Sequence, residues 1–431
     1  MSQLPLGWAK ATIGEVCDLV NGKAFKPSDW SESGLPIVRI QNLNRPNAKF
    51  NHFDGEIEDR FLVECGDLLF AWSGTPGTSF GAHVWNGPKA VLNQHIFNVR
   101  FDKKTLDRNF FSHAINQTLD EQIAKAHGGV GLRHVTKGKF EETEISIPPL
   151  LEQRRIVAKI DSLTGKSRRA RDHLDDITRL VEKYKQAILT AAFRGDAELA
   201  LVGDLITDIR YGTAKKCNYD AGAVPVLRIP NVQRGRIDLG DIKSADFDAK
   251  DLMKLGLRIG DILVIRSNGS LDLVGRSAVV DDRAAGMLFA GYLIRLRLDP
   301  SRCLPEYLHW FLQSSVARKN ITNAAKSTSG VHNVNAQELQ ALELPLPSIA
   351  VQKERIGSIE SAFTWIDRLT VDTTNARKLI DRLDQSMLTK AFKGELVPQD
   401  PTDEPASALL ERIRAERVTV PKAKRGHKKA A

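Results

Sequence analysis

The chain has 431 residues, of which 42% are hydrophobic. It is longer than one ordinary domain, and the hydrophobic share is high enough for packed cores, which excludes a wholly disordered chain. The net charge is +9, but residues 411–431, with eight basic and two acidic residues, supply +6 of it. The rest of the chain is close to neutral, so net charge gives only modest support for a nucleic-acid partner.

The sequence lacks the patterns of a membrane, secreted or metal-binding protein. No apolar run reaches the roughly 18 residues of a membrane helix, and the first residues, MSQLPLGWAK, lack the layout of a signal peptide. The four cysteines form no CxxC pair and no cysteine–histidine cluster with zinc spacing. We therefore expect a cytoplasmic protein with reduced thiols, no metal site and no cofactor.

Two segments, residues 1–150 and residues 197–348, are predicted to be globular domains. Each contains short strand-like runs separated by turns, and each contains one helical segment after its strands, which predicts an α+β fold with irregular, mostly antiparallel sheets. The strand-like runs are PIVRI (36–40), DLLFAW (67–72) and HIFNVR (95–100) in the first segment, and PVLRI (225–229), DILVIR (261–266) and LIRLRL (293–298) in the second.

The two segments are diverged copies of each other. LPIVRIQN (35–42) resembles VPVLRIPN (224–231), GDLL (66–69) resembles GDIL (260–263), and QAILTAAFRGD (186–196) resembles QSMLTKAFKGE (385–395). The offset between the copies grows from 189 to 199 residues and then stays constant. Loops tolerate insertions and paired helices do not, so the constant part is predicted to be helical. Arg39 and Arg228 recur within this repeat and are expected to be structural.

The constant part contains two heptad patterns, predicted as long helices over residues 151–196 and 349–396. Apolar residues recur every three or four positions from Ile156 to Ala191 and again from Ile359 to Met387, in the same phase. This spacing predicts a coiled coil, and an internal pseudo-two-fold repeat would make the two helices antiparallel, with a globular domain at each end. The alternative is that each helix packs only on its own domain. Residues 397–431 are predicted to be a basic, disordered tail.

Several segments resemble the specificity subunits of type I restriction–modification enzymes. They are LLFAWSGTPGTSFG, IPPLLEQRRIVAKID and QAILTAAFRG, in the same order as in that family, and the similarity extends to about residue 400. The resemblance implies two target recognition domains that each read one half of a split, asymmetric DNA site. It also implies three kinds of partner: double-stranded DNA, modification (methyltransferase) subunits, of which two are expected, and restriction (translocase/nuclease) subunits. The catalysis would reside in those partners.

The predicted DNA contacts are polar residues in glycine-bearing loops at corresponding places in the two copies, where side chains can reach groove edges or phosphates. In the first copy they are Lys23, Ser73, Thr75, Thr78, Ser79, Gln94, Arg133 and His134. In the second copy they are Lys215, Lys216, Arg266, Asn268, Ser270, Arg276, His332 and Asn333.

No catalytic motif is predicted in the chain. TGKS (164–167) resembles the end of a phosphate-binding loop, but Ile160 stands where that loop needs glycine, and the segment lies within a heptad helix. Two alternatives stay open: a coiled-coil adaptor whose globular ends bind proteins, and a single-chain enzyme with an unrecognised site.

Overall fold

The computed structural model describes residues 4–45, 48–74, 80–125, 133–195, 197–232, 235–328 and 330–419. The chain divides into two compact units, a first unit of residues 1–171 and 377–431 and a second unit of residues 172–376. Among the described residues, no helix is long and apolar enough to cross a membrane.

The first unit contains a mixed α/β domain. Its strands are β1 (Ala9–Thr12), β2 (Asp18–Asn21), β3 (Leu35–Val38), β4 (Asn51–Phe53), β5 (Leu62–Val63), β6 (Leu68–Ala71), β7 (Ser73–Gly74), β8 (Gly81–Val84), β9 (Ala90–Leu92), β10 (Ile96–Arg100), β11 (Arg133–His134) and β12 (Glu144–Ile147). Its helices are α1 (Ile13–Val16), α2 (Ile40–Asn44), α3 (Arg108–Lys125), α4 (Lys137–Glu141) and the long α5 (Leu150–Ala192), which continues into the second unit.

The central sheet of the first unit has the order β2-β10-β6-β8, and all its pairings are antiparallel. Its middle strand β6 is buried at all four positions, as its continuous apolar sequence LLFA requires. A second sheet, β4-β3-β9-β5, includes one parallel pairing, between β3 and β9. The prediction of irregular, mostly antiparallel sheets is confirmed for this unit.

The second unit repeats this organisation. Its strands are β13 (Leu199–Leu201), β14 (Ile206–Tyr211), β15 (Val224–Leu227), β16 (Lys243–Ala245), β17 (Ile262–Ile265), β18 (Ser267–Asn268), β19 (Ser277–Val279), β20 (Leu288–Phe289), β21 (Leu293–Leu298), β22 (Lys326–Thr328), β23 (Val331–Asn333) and β24 (Glu343–Pro345). Its helices are α6 (Ile229–Val232), α7 (Ala249–Leu255), α8 (Pro305–Gln313), α9 (Ser315–Ala324), α10 (Ala336–Gln340) and the long α11 (Ile349–Phe392), which continues into the first unit.

The sheet orders confirm the internal repeat. The central sheet β14-β21-β17-β19 corresponds strand by strand to β2-β10-β6-β8, and the β13-β24 pair corresponds to β1-β12. The registers fix the equivalent positions: Ala71 lies opposite Ile96 in the first unit, and Ile265 lies opposite Leu293 in the second. The residues that follow, Trp72 and Arg266, are therefore equivalent.

The recurring asparagine of the RIQN and RIPN sequences holds a loop in each unit. Asn42 Oδ1 accepts the backbone N–H of Arg39 at 3.0 Å, and Asn231 Oδ1 accepts that of Arg228 at 2.7 Å. Asn231 Nδ2 also donates to the carbonyl of Asp241. The Arg228 guanidinium donates to the Asp241 carboxylate at 2.7 Å, in agreement with the structural role expected for this arginine.

A second recurring side chain, a fully buried glutamine, anchors the start of each long helix. Gln153 Oε1 accepts the backbone N–H of Asp107 at 2.7 Å, and its Nε2 donates to the carbonyl of Pro148 at 3.0 Å. Gln352 Oε1 accepts the N–H of Leu304 at 2.9 Å, and its Nε2 donates to the carbonyls of Arg302 and Pro347. The same buried amide thus ties helix to domain in both copies.

In the first unit, the two long helices pair in antiparallel fashion. Ile156 and Ile160 share a core with Met387 and Ala391. Further along α5, Ser167 donates to Asp384 at 2.6 Å, and Arg171 forms ion pairs with Asp384 and Asp381. Residue numbers rise along α5 as they fall along α11, which is the predicted orientation.

In the second unit the same helices pair again in the same sense. Lys185 forms an ion pair with Asp367 at 3.2 Å, and Leu189 and Phe193 share a core with Ile359 and Ile356. The heptad prediction is wrong at three seam positions, which are exposed: Ala191, Tyr184 (55%) and Leu383 (59%). Tyr184 and Leu383 are each followed by a half-buried charged residue, Lys185 or Asp384, which forms an ion pair with the facing helix and so occupies the contact between the helices.

The predicted disorder from residue 397 is wrong for the segment that forms helix α12 (Ala406–Thr419). Ala406, Leu410 and Ile413 are buried in the core of the first unit, together with Ile13 and Cys17. The apolar residues lie three and four positions apart, so they share one face, and the neighbouring charges hid this pattern. Residues 420–431 lie outside the described residues.

Candidate nucleic-acid interface

A two-stranded sheet in the first unit gathers predicted contact residues from distant parts of the sequence. Strand β7 pairs with β11, so that Ser73 lies opposite His134 and Gly74 opposite Arg133. The backbone N–H of Val135 donates to the carbonyl of Trp72 at 3.3 Å and extends this pairing. The predicted contacts Thr75, Thr78 and Ser79 lie outside the described residues.

The other two predicted contacts of the first unit lie beside strand β9. Lys23 donates its backbone N–H to the carbonyl of Leu92 at 2.8 Å and forms a bridge to Asn93. Its ammonium lies 4.7 Å from the ring centroid of Phe53. The adjacent Gln94 lines a cavity of about 220 Å³, together with Phe25, Trp30, Arg39 and His95.

In the second unit, the equivalent small sheet has three strands, β18, β23 and β22. Asn268 lies opposite His332, and Ser267 lies opposite Asn333. The backbone N–H of Val334 donates to the carbonyl of Arg266 at 2.8 Å, which matches the Val135–Trp72 bond of the first unit. Four predicted contacts, Arg266, Asn268, His332 and Asn333, therefore lie together.

The loop after β18 is held in place by its own side chains and by Arg318. Asn268 Oδ1 accepts the N–H of Ser270 at 2.8 Å, and Arg276 Nε donates to the carbonyl of Asp272 at 2.8 Å. The Arg318 guanidinium donates to the carbonyls of Leu271, Asp272 and Val274. Burial and the nearby charge of Arg276 lower the pKa of Arg318. The exposed Ser270 and Arg276 are thus carried on a fixed loop.

Lys215 and Lys216 do not lie in the small sheet. They are exposed in the segment after β14, where Lys215 Nζ donates to the carbonyl of Asp246 and lies 5.1 Å from the ring centroid of Phe247. This is the second-unit counterpart of the segment that carries Lys23: Thr213 donates to the carbonyl of Phe289 and bridges Ala290, as Lys23 does with Leu92 and Asn93.

Sequence analysis missed the aromatic residues next to these sheets. The indole of Trp72 lies 5.3 Å from the His95 ring in the first unit. In the second unit, the Arg266 guanidinium lies 4.7 Å from the ring centroid of Tyr211, and Tyr292 is 62% exposed. The strand registers place His95 and Tyr292 at equivalent positions in the two copies. Aligning the two copies beyond their recurring motifs would have identified both residues from the sequence.

One serine–histidine pair lies away from these sheets, in the core of the second unit. Ser277 Oγ and His309 Nδ1 are 3.0 Å apart, and Gln313 donates to the same hydroxyl at 3.1 Å. Both members of the pair are buried, and burial lowers the pKa of His309 to about 4. A buried hydroxyl cannot reach a substrate, so the pair is structural. Within the described ranges, no cluster of three or more metal-ligating side chains is found.

Comparison with known proteins agrees with these features. A sequence model of the type I restriction modification DNA specificity domain matches residues 5–177. The type I restriction enzyme EcoKI specificity subunit of Escherichia coli (strain K12) is 28% identical, and the alignment covers 99% of each chain. The StySPI specificity subunit of Salmonella potsdam is also 28% identical, with the same coverage.

Among solved structures, the crystal structure of the HsdS subunit from Thermoanaerobacter tengcongensis is similar in fold. It has a TM-score of 0.62 at 20% identity, and the match covers 92% of this chain and 99% of that one. A chain from a structure on complex assembly and conformational transition of the type I R-M system has a TM-score of 0.74 at 20% identity, covering 92% and 100%. The full-length sequence similarity, the shared fold and the repeated sheets agree, and the chain is similar along its whole length to the DNA specificity subunits of type I restriction–modification enzymes.

Proposed function

We propose that this chain selects a two-part, asymmetric DNA site and that it has no catalytic activity of its own. The observation that carries the proposal is the pair of small sheets, β7-β11 and β18-β23-β22, at equivalent places in the two copies. They present different polar side chains, such as Ser73 in one and Asn268 in the other. Because hydrogen-bonding groups at groove edges distinguish base pairs, different side chains would read different half-sites.

We propose that the modification subunits dock on exposed apolar residues of the long helices. Leu180 and Tyr184 are 55% exposed in the second unit, and Leu379 and Leu383 are 57% and 59% exposed in the first. Each pair is spaced by four residues, and the two pairs are separated by the constant offset of the repeat. Two equivalent apolar pairs support two copies of the same partner, because exposed apolar patches mark protein contacts.

The proposal also includes restriction subunits as further partners, which would carry the translocase and nuclease. For the specificity subunit acting alone, we expect no methyl transfer and no cleavage. An activity of the isolated chain would contradict its assignment as a non-catalytic subunit.

The test uses the full complex with its own modification subunits, and maps methylated bases on a plasmid library by sequencing. The variant Asn268→Ala with His332→Ala should make the second half-site degenerate and leave the first intact. The variant Ser73→Ala with His134→Ala should do the reverse. Two exposed, repeat-equivalent residues on strands outside the two small sheets provide matched controls, Glu144→Ala and Glu343→Ala, which should leave the methylated sequence unchanged.

Two results would contradict the proposal. If neither double variant changes the methylated sequence, the small sheets do not read DNA. If the complex binds duplexes without sequence preference, the chain is an adaptor rather than a specificity subunit. Binding measured over a range of salt concentrations gives an independent readout. Phosphate contacts make the affinity for every duplex fall as salt rises, whereas base contacts make the affinity differ between DNA sequences.

A further inference from the structure

Among the described residues, the side chain of Arg266 in the second unit has no polar partner, yet it is held in position. It lies directly after the buried strand β17, and its guanidinium lies over the ring of Tyr211, 4.7 Å from the centroid. Its Nε is buried and makes no hydrogen bond, and no described carboxylate forms an ion pair with it. An arginine that is partly buried without such partners carries a desolvation cost that a ligand with suitable acceptors would offset.

The surroundings of Arg266 fix its orientation. The Tyr211 hydroxyl accepts the backbone N–H of Ala336 at 3.0 Å, which anchors the ring under the guanidinium. The Arg266 backbone is bonded on both sides, because its N–H donates to the carbonyl of Tyr292 at 2.9 Å and its carbonyl accepts from Val334 at 2.8 Å. A planar fork of donors is therefore presented in a defined direction, at low conformational cost on binding.

The location of Arg266 favours a base over other acceptors. It adjoins the strand that carries Ser267 and Asn268, opposite His332 and Asn333, so it belongs to the surface that we propose reads DNA. The base edge that best fits two parallel N–H donors is that of guanine, which presents O6 and N7 as acceptors in the major groove.

We propose that Arg266 reads one guanine of the half-site bound by the second unit, by a bidentate hydrogen bond to O6 and N7. Trp72 occupies the equivalent position in the first unit, and an indole, with one donor, cannot form this fork. The two half-sites therefore differ at the corresponding base pair, with guanine read only in the second. This inference rests on the proposed function and adds the identity of one base.

The experiment selects DNA from a randomised duplex library with the complex of the full chain and its modification subunits. The wild-type complex should enrich an invariant G·C pair in one half-site. Arg266→Ala should make that pair degenerate, leave the other half-site unchanged and weaken binding to the wild-type sequence roughly 5- to 150-fold, the range typical of one bidentate pair. Arg266→Lys keeps the charge but loses the fork, so it should also lose the preference for guanine.

A modified base tests the same contact without changing the protein. Replacing that guanine with 7-deazaguanine removes the N7 acceptor, so it should weaken binding by the wild-type complex and have no further effect on Arg266→Ala. The matched control is Arg283→Ala, since Arg283 is exposed and already paired with Asp281 at 2.6 Å. This control should bind and select as the wild type does.

Other outcomes would overturn the inference. If Arg266→Ala weakens binding equally for all sequences, and Arg266→Lys restores it, Arg266 contacts a phosphate. If both variants keep the invariant G·C pair, another residue reads it. If the wild-type complex selects no sequence at all, the proposed function itself fails, and this result is distinct from the other two.

Discussion

The buried glutamines at the starts of the long helices give a quantitative prediction for stability. Replacing Gln352 by alanine removes three partly buried hydrogen bonds and leaves the N–H of Leu304 and the carbonyls of Arg302 and Pro347 without that partner. Each unsatisfied buried group costs roughly 1–3 kcal/mol. Some relaxation and water entry will reduce the total, so we expect Gln352→Ala to lower the free energy of unfolding of the second unit by about 3–5 kcal/mol.

Gln153 makes two such bonds instead of three. The loss of unfolding free energy in Gln153→Ala should therefore be about 1 kcal/mol smaller than in Gln352→Ala. The assay is denaturant unfolding combined with hydrogen exchange, which reports each unit separately. In Gln352→Ala, the amide of Leu304 should exchange faster than its neighbours, because that N–H loses its acceptor. The variant Gln352→Met separates the contribution of the hydrogen bonds to the free energy of unfolding from that of the side-chain volume, because methionine fills the space but has no amide group.

One result would refute this reasoning. If Gln352→Met is within about 0.5 kcal/mol of the wild type, the three hydrogen bonds contribute little and the side chain acts only by filling space. Lys353→Ala, at an exposed position next to Gln352, serves as the control and should leave stability unchanged.

Three further outcomes are expected from measurements of unfolding. Burial lowers the pKa of His309 to about 4, so the unfolded chain binds a proton on this ring more readily than the folded one. The second unit should keep its full stability above pH 6.5 and lose roughly 3 kcal/mol of unfolding free energy as pH falls from 6.5 to 4. The variant His309→Asn should abolish most of this pH dependence. Burial raises the pKa of Glu152, so the charged form is disfavoured in the folded first unit. At neutral pH, Glu152→Gln should therefore have a higher urea midpoint than the wild type, and at low pH, where Glu152 is protonated, the two midpoints should be equal. A Cβ at Gly212 would lie 2.3 Å from the carbonyl oxygen of Ala290, so Gly212→Ala should lower the free energy of unfolding by about 1–3 kcal/mol. A Cβ at Gly165, within a helix, would meet open space, so Gly165→Ala should raise the free energy of unfolding by about 0.5–1 kcal/mol.

The repeat and the long helices could be predicted from the sequence because their patterns extend over many residues. The heptad seam located Ile160 and Ile366 correctly as buried positions, and the equivalence of GDLL and GDIL identified the central strands. Such patterns depend on periodicity, which a single sequence carries.

The small sheets could not be predicted as sheets. Strand β7 has two residues and pairs with β11 about 60 residues later, so neither strand carries a periodic signal of its own. The sequence indicated Ser73 and His134 separately, as polar residues in loops, but their proximity depends on how the whole domain folds. Tyr211 was missed for the same reason, because its contact with Arg266 joins residues 55 positions apart.

Helix α12 has a consequence for how the protein is made in the cell. The first turns of this helix complete the core around Ile13 and Cys17, so the core of the domain that is synthesised first stays incomplete until about 240 further residues have left the ribosome. At typical synthesis rates of about 5–20 residues per second, that wait is on the order of 10–50 s. The second unit, whose residues are contiguous, can fold during this interval, which makes the domain nearer the start of the gene the last to mature.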